Sequence, residues 1–227
     1  MKISDIMSTN VATVTPGVSI KEVATLMVQR RISGVPVVDE VGHVVGMISE
    51  GDLIRRPEMD TDKPVSRWAS LMTGQEQKAR DFVKTHGLHA KEVMTPTVMA
   101  IAPGATLNEA AARMEKNKIK RLPVVEHGKL IGIVTRADLL RALAATPEFK
   151  LDAPPASDRA IRDKLNDLLR KEDWAASAMV NVIVTDGTVQ MWGVVDGEDQ
   201  RKALRVAAEG IDGVKTVEDH LSMGIPT

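Results

Sequence analysis

Val35-Pro36-Val37-Val38-Asp39, followed by Gly46-Met47-Ile48-Ser49-Glu50-Gly51-Asp52-Leu53, is the stretch that decides the fold, because it comes back. Leu122-Pro123-Val124-Val125-Glu126 and then Gly132-Ile133-Val134-Thr135-Arg136-Ala137-Asp138-Leu139 repeat its order. The likeness extends upstream. Ile6-Met7-Ser8, Thr15-Pro16-Gly17 and Ser19-Ile20-Lys21-Glu22 return as Val93-Met94-Thr95, Ala102-Pro103-Gly104 and Thr106-Leu107-Asn108-Glu109, with Met94 87 positions after Met7. Two copies are too few for a solenoid, which needs about three stacked units. They predict a pseudo-symmetric pair in which each copy buries a face against the other.

Each copy reads as β-α-β-β-α. A short apolar run, Val11 to Val14 or Val98 to Ile101, is closed by Pro-Gly. Ser19-x-x-Glu22 and Thr106-x-x-Glu109 are capping boxes that start a helix. Ile20, Val23 and Met27, and Leu107, Ala110, Ala111 and Met114, then recur at helical spacing, with the methionines read as core. Two Val/Ile-rich runs parted by a glycine-bearing turn predict a hairpin, and the second runs directly into a helix near Gly51 or Ala137.

The bulk numbers narrow the function. Of 227 residues, 43% are apolar and 27% charged, which is a globular composition with room for a real core. Thirty basic and 31 acidic residues leave a net charge of −1, so there is no electrostatic case for nucleic acid as a partner. The absence of cysteine excludes disulfides, thiolate metal sites and cysteine nucleophiles. The first residues lack a signal-peptide core, and no stretch approaches the roughly 20 apolar residues of a membrane span, so a soluble, cytoplasmic protein is expected.

Where the last strand of each copy becomes a helix, the same polar pair stands: Ser49-x-x-Asp52 and Thr135-x-x-Asp138. A hydroxyl beside the amides of a helix start can hold phosphate, and a carboxylate can accept from a ribose diol. A plain helix cap has the same residues. Recurrence of the pair in both copies, with Pro36 and Pro123 at matched earlier positions, favours a ligand.

This doubled pattern resembles the cystathionine β-synthase (CBS) domain, and two in tandem resemble a Bateman module. The likeness covers residues 1 to 145. It implies an α/β (α+β) module of two repeats with two clefts for adenosine-containing ligands such as AMP, ADP, ATP or S-adenosylmethionine, as a regulatory ligand and not an obligatory cofactor. It also implies a homodimer formed through the CBS modules. By the resemblance, Ser49 and Thr135 contact phosphate, and Asp52 and Asp138 bind ribose. Val35, Pro36, Leu122 and Pro123 would wall the base, and main-chain groups near Ala12 and Met99 would read its edge. Lys118-Ile119-Lys120-Arg121 replaces Arg31-Ile32-Ser33-Gly34 of the first copy. With Lys120, Arg121 and Arg136 nearby, the second cleft is expected to be the better polyphosphate site, guanidinium being suited to bidentate phosphate binding. Asp138→Ala should then weaken nucleotide binding and leave the fold intact.

The domain plan is residues 1–57 and 91–146 for the two repeats, 58–90 for a polar insertion, 147–156 for a proline-rich linker, and 157–224 for a third domain. In the insertion, Trp68, Leu71 and Met72 predict a short amphipathic helix. His86-x-x-His89-x-x-Glu92 has helical spacing but reads as solvated rather than metal-binding. Residues 157–224 read as α-β-β-α-β. Ser157 or Asp158 caps the first helix, Val180, Val182 and Val184 alternate, and Asp186-Gly187 makes a hairpin turn. Asp186-Gly187-x-Val189-x-x-x-Gly193-Val194 and Gly213-Val214-x-x-Val217 resemble the BON domain. That resemblance implies attachment to a protein or to phospholipid.

The expected function is a non-enzymatic adenine-nucleotide sensor, the alternative being an adaptor with empty clefts that acts through its last domain. There is no matched nucleophile and base, no metal ligand set, no Walker loop and no dinucleotide glycine fingerprint.

Overall fold

A computed structural model describes residues 1–56, 61, 74–145, 156–175 and 178–224. The helix expected around Trp68, Leu71 and Met72 and most of the 147–156 linker lie outside the described residues. The chain forms two compact units, Ala12–Val98 and Met1–Val11 with Met99–Thr227.

In the first unit, α1 (Ile20–Gln29) starts at Ser19, whose hydroxyl accepts from the Glu22 amide while Glu22 accepts from the Ser19 amide at 3.0 Å. This is the reciprocal box that the sequence predicts. The helix buries Ile20, Val23 and Met27 against the antiparallel pair β1 (Gly34–Val38) and β2 (Val44–Ser49). The short helix α2 (Glu50–Leu53) follows β2, and α3 (Gln75–His86) and α4 (Ala90–Val93) close the unit. Val23, Val35, Val37 and Ile48 are fully buried, each such side chain contributing about 1.5–3 kcal/mol by transfer from water.

The second repeat reproduces this with α5 (Leu107–Lys116), the pair β3 (Arg121–Glu126) and β4 (Lys129–Thr135), and α6 (Arg136–Ala145). The apolar runs 11–14 and 98–101 do not become regular strands. Each makes a single parallel bridge, Val14 to Val37 and Ile101 to Val124, because each passes its neighbouring strand for only a residue or two before the Pro-Gly turn.

The cut between the units is not the cut between the repeats. Ile3, Ile6 and Met7 belong to the core of the second repeat, and Val93 and Met94 pack with the first. Each copy's opening segment thus completes the other's core. Met7 seats over Gly132, where an added Cβ would stand 2.6 Å from its Sδ, and Met94 seats over Gly46 in the same way. Gly46→Ala should therefore destabilise the chain by about 1–3 kcal/mol by overpacking, read as a lower urea midpoint with unchanged m. A wild-type midpoint would show that Met94 does not seat there.

In the second unit the third domain packs α7 (Ala156–Lys171) and α8 (Glu198–Glu209) on a sheet ordered β5-β6-β7, with β5 (Met179–Thr185) antiparallel and β7 (Thr216–Met223) parallel to β6 (Thr188–Val195). Leu165, Val189, Met191, Val195, Leu204 and Ala208 form its fully buried centre. Asp186 and Gly187 both have positive φ, 50° and 80°, as a type I′ hairpin turn requires. Asp158 does not cap its helix. Its carboxylate is buried and accepts from the amides of Asp186 and Gly187 at 2.8 and 2.9 Å, clamping that turn.

Candidate functional site

Ser49 and Asp52 sit where β2 enters α2. Asp52 Oδ2 accepts from the Ser49 amide at 2.9 Å and from its hydroxyl at 2.7 Å. Thr135 and Asp138 repeat the arrangement at the start of α6, with both distances 2.8 Å, and the Asp138 amide donates back to Thr135 Oγ1 at 3.3 Å. The helix-cap reading therefore holds in both copies. It uses one carboxylate oxygen, so the chemistry of each half depends on what meets the other.

At Asp52, Oδ1 meets the Lys84 ammonium at 2.7 Å. The lysine side chain is 41% exposed and the aspartate 14%. Lys84 also donates to Thr95 Oγ1 at 3.2 Å, so a partly exposed carboxylate stands beside a cation of the kind that can meet a phosphate. Lys84 lies on α3, in the insertion that has no counterpart in the other copy. It brings a positive charge to the first half, where Gly34 stands at the position that Arg121 takes in the second.

At Asp138 the neighbours differ. Oδ1 accepts from Arg141 Nη1 at 2.8 Å and from Asn181 Nδ2 at 2.9 Å, and the residue is 1% exposed. Asn181 belongs to β5 of the third domain and also donates to the carbonyl of Ile6. Around it, the buried Arg162 donates to the carbonyls of Val182, Ser4 and Met7, Arg159 pairs with Asp5 at 3.0 Å, and Asn10 donates to the Ala178 carbonyl at 2.7 Å. Burial pushes the Arg162 guanidinium down to about 10, against the pull of Asp163, Asp5 and Asp138, so it is charged at neutral pH. Asp138 is thus held in a buried polar network. The expectation that Asp138→Ala spares the fold does not survive this, because breaking such a network leaves buried donors unpaired.

The other expected site residues divide by burial. Arg121 stands half-buried on β3 directly across from Thr135, as Gly34 stands across from Ser49, so the structure brings it to the polar pair. Lys120 and Arg136 are exposed, and the Arg136 amide is tied to the Lys120 carbonyl at 3.1 Å. Val35 and Leu122 are fully buried members of the two repeat cores. Pro36 and Pro123 are also buried, and their carbonyls accept from Val14 and Ile101 at 3.1 and 3.0 Å. Ala12 is half-buried and Met99 is 39% exposed.

His86, His89 and Glu92 do not converge on a common point. His86 stacks on Phe82, and Glu92 accepts from the amides of Leu88 and His89, bonds that hold its carboxyl below the usual range, with His89 contributing most. Among the described residues no helix is long and apolar enough to cross a membrane.

A tandem repeat with a matched Ser/Thr-x-x-Asp at each strand-to-helix turn, followed by an α-β-β-α-β domain, defines a paired-repeat module with an appended domain. The chain belongs to the CBS domain family: the CBS model matches residues 3–58 and 90–145, and the BON domain model matches 157–224. It is 32% identical over 143 residues to the chloroplastic CBS domain-containing protein CBSX2 of Arabidopsis thaliana, covering 59% of this chain and 58% of that one, so it spans less than two thirds of that relative. It is 36% identical over 136 residues to an uncharacterized protein of Methanocaldococcus jannaschii, covering 54% of this chain and 79% of the relative. Among solved structures, CBSX2 in complex with AMP superposes with a TM-score of 0.56 at 30% identity, covering 64% of this chain and 99% of that one.

Proposed function

We propose that the chain is a non-catalytic sensor that binds an adenosine nucleotide, AMP, ADP or ATP, on its Ser/Thr-x-x-Asp half-sites and passes the bound state to a partner through its BON domain. The observation that carries this reading is at Asp52. The helix cap uses one carboxylate oxygen, and the other is paired with the half-exposed Lys84 ammonium, which places an acid that could take a ribose beside a cation that could take a phosphate. The AMP complex of CBSX2 supports the ligand class. Ser49 and Lys84 would hold phosphate in the first half, and Thr135, Arg121 and Arg136 in the second.

Leu140 and Leu143, 66% and 56% exposed on α6, support pairing of two copies through the CBS modules. The BON domain would attach a protein or phospholipid, and the working compartment would be the cytoplasm. An adaptor with no nucleotide is the second reading, favoured by the burial of Asp138. Melting the full chain with each nucleotide separates the two. A ligand at about 100 times its dissociation constant adds about 2.7 kcal/mol and raises the midpoint by several degrees. A flat response to all three nucleotides leaves the adaptor.

A further inference from the structure

We propose that the BON domain gates the second half-site: docked on the second repeat it occupies the Asp138 carboxylate, and nucleotide binding there requires it to leave. This rests on the nucleotide reading above and names a regulation of the same site. Asp138 Oδ2 is committed to its helix cap, and Oδ1 accepts from Asn181 and Arg141. A ribose diol needs an acceptor, and Oδ1 is the carboxylate oxygen that the helix cap leaves over. Asn181 is 3% exposed in the middle of β5 and its amide also holds the Ile6 carbonyl, so it cannot swing aside. The strand, and with it the domain, has to move.

The contacts that hold the domain include several polar ones. They are Arg162 on the Ser4 and Met7 carbonyls, Arg159 on Asp5, Asn10 on Ala178, and the Arg141 guanidinium 5.9 Å from the centre of the Trp192 ring, groups that water would solvate once the domain left. The docked state also carries a defect. Asn181 Oδ1 is buried without a hydrogen-bond partner among the described residues, a cost that hydration removes on undocking. Nucleotide and BON domain thus compete for one carboxylate oxygen, and by linkage each weakens the other's hold by the same factor. The second half-site then signals by releasing the domain.

The test uses the full chain with the first half-site silenced by Asp52→Ala, and AMP as the ligand in calorimetry. Adding Asn181→Asp sets a like charge against Asp138, and adding Arg162→Met cuts the bonds to the Ser4 and Met7 carbonyls, together with one to Val182 within the domain, and removes no direct hydrogen bond to Asp138. Both should tighten AMP binding at least tenfold. Small-angle scattering of the otherwise wild-type chain should show a larger radius of gyration once AMP saturates both half-sites. Unchanged affinity in variants with native circular dichroism overturns the gate while the nucleotide reading stands. So does an unchanged radius at saturation, which needs no variant to fold. No AMP binding by wild type or by any variant overturns the nucleotide reading and the gate together.

Discussion

Asp138→Ala should lower the stability of the full chain by about 3–5 kcal/mol, the cost of removing one partner from a buried charged network. The carboxylate is 1% exposed and accepts four hydrogen bonds, from the Thr135 amide and hydroxyl, Arg141 and Asn181. Its loss leaves the Asn181 amide in a buried position with one of its two acceptors gone, while Arg141, about one-third exposed, can turn to water. Against a domain stability of about 5–15 kcal/mol this is a large fraction. The urea midpoint of the variant reads it directly. A midpoint within about 1 kcal/mol of wild type would mean that the BON domain does not rest on Asp138 in solution, which also bears on the proposed gate.

The matching change in the first repeat should act on ligand rather than fold. Asp52→Ala removes a carboxylate whose outer contact is a lysine 41% exposed, a kind of pair worth little to stability. The lost cap costs about 1 kcal/mol. For a bound nucleotide the loss is greater, because two ribose hydroxyls donating to a charged acceptor together contribute about 3 kcal/mol, or roughly 100-fold in affinity. Calorimetry with AMP on the full chain should show that fall while the melting temperature moves by a few degrees. An affinity within threefold of wild type would reduce Asp52 to a helix cap. The two aspartates, identical in motif, are thus expected to fail in opposite ways.

That divergence marks where the sequence stops being legible. The capping boxes at Ser19 and Thr106, the hairpins after Pro36 and Pro123, and the Asp186-Gly187 turn all form as their residues predict, because each is decided by contacts a few residues apart. Asp158 escapes that local logic, because its partners lie across the domain at the hairpin turn. Lys84 carried no signal, since a helix in an unrepeated insertion has no copy to compare with. Asn181 carried a faint one: an amide inside the run Val180 to Val184 is a polar group at a position the strand pattern buries, and such a group needs a partner.

The sequence by itself determined the doubled β-α-β-β-α unit, the polar pair closing each copy and the appended α-β-β-α-β domain. These follow from periodicity and capping, which act within a turn of helix or a pair of strands. Only the tertiary structure decided that each copy's opening segment fills the other's core, and that two equal carboxylates meet an exposed lysine in one copy and a buried asparagine in the other. Asn181 reaches Asp138 across 43 residues and Arg162 reaches Ser4 across 158. No local pattern encodes such contacts, because they depend on which surfaces come together once the cores have formed.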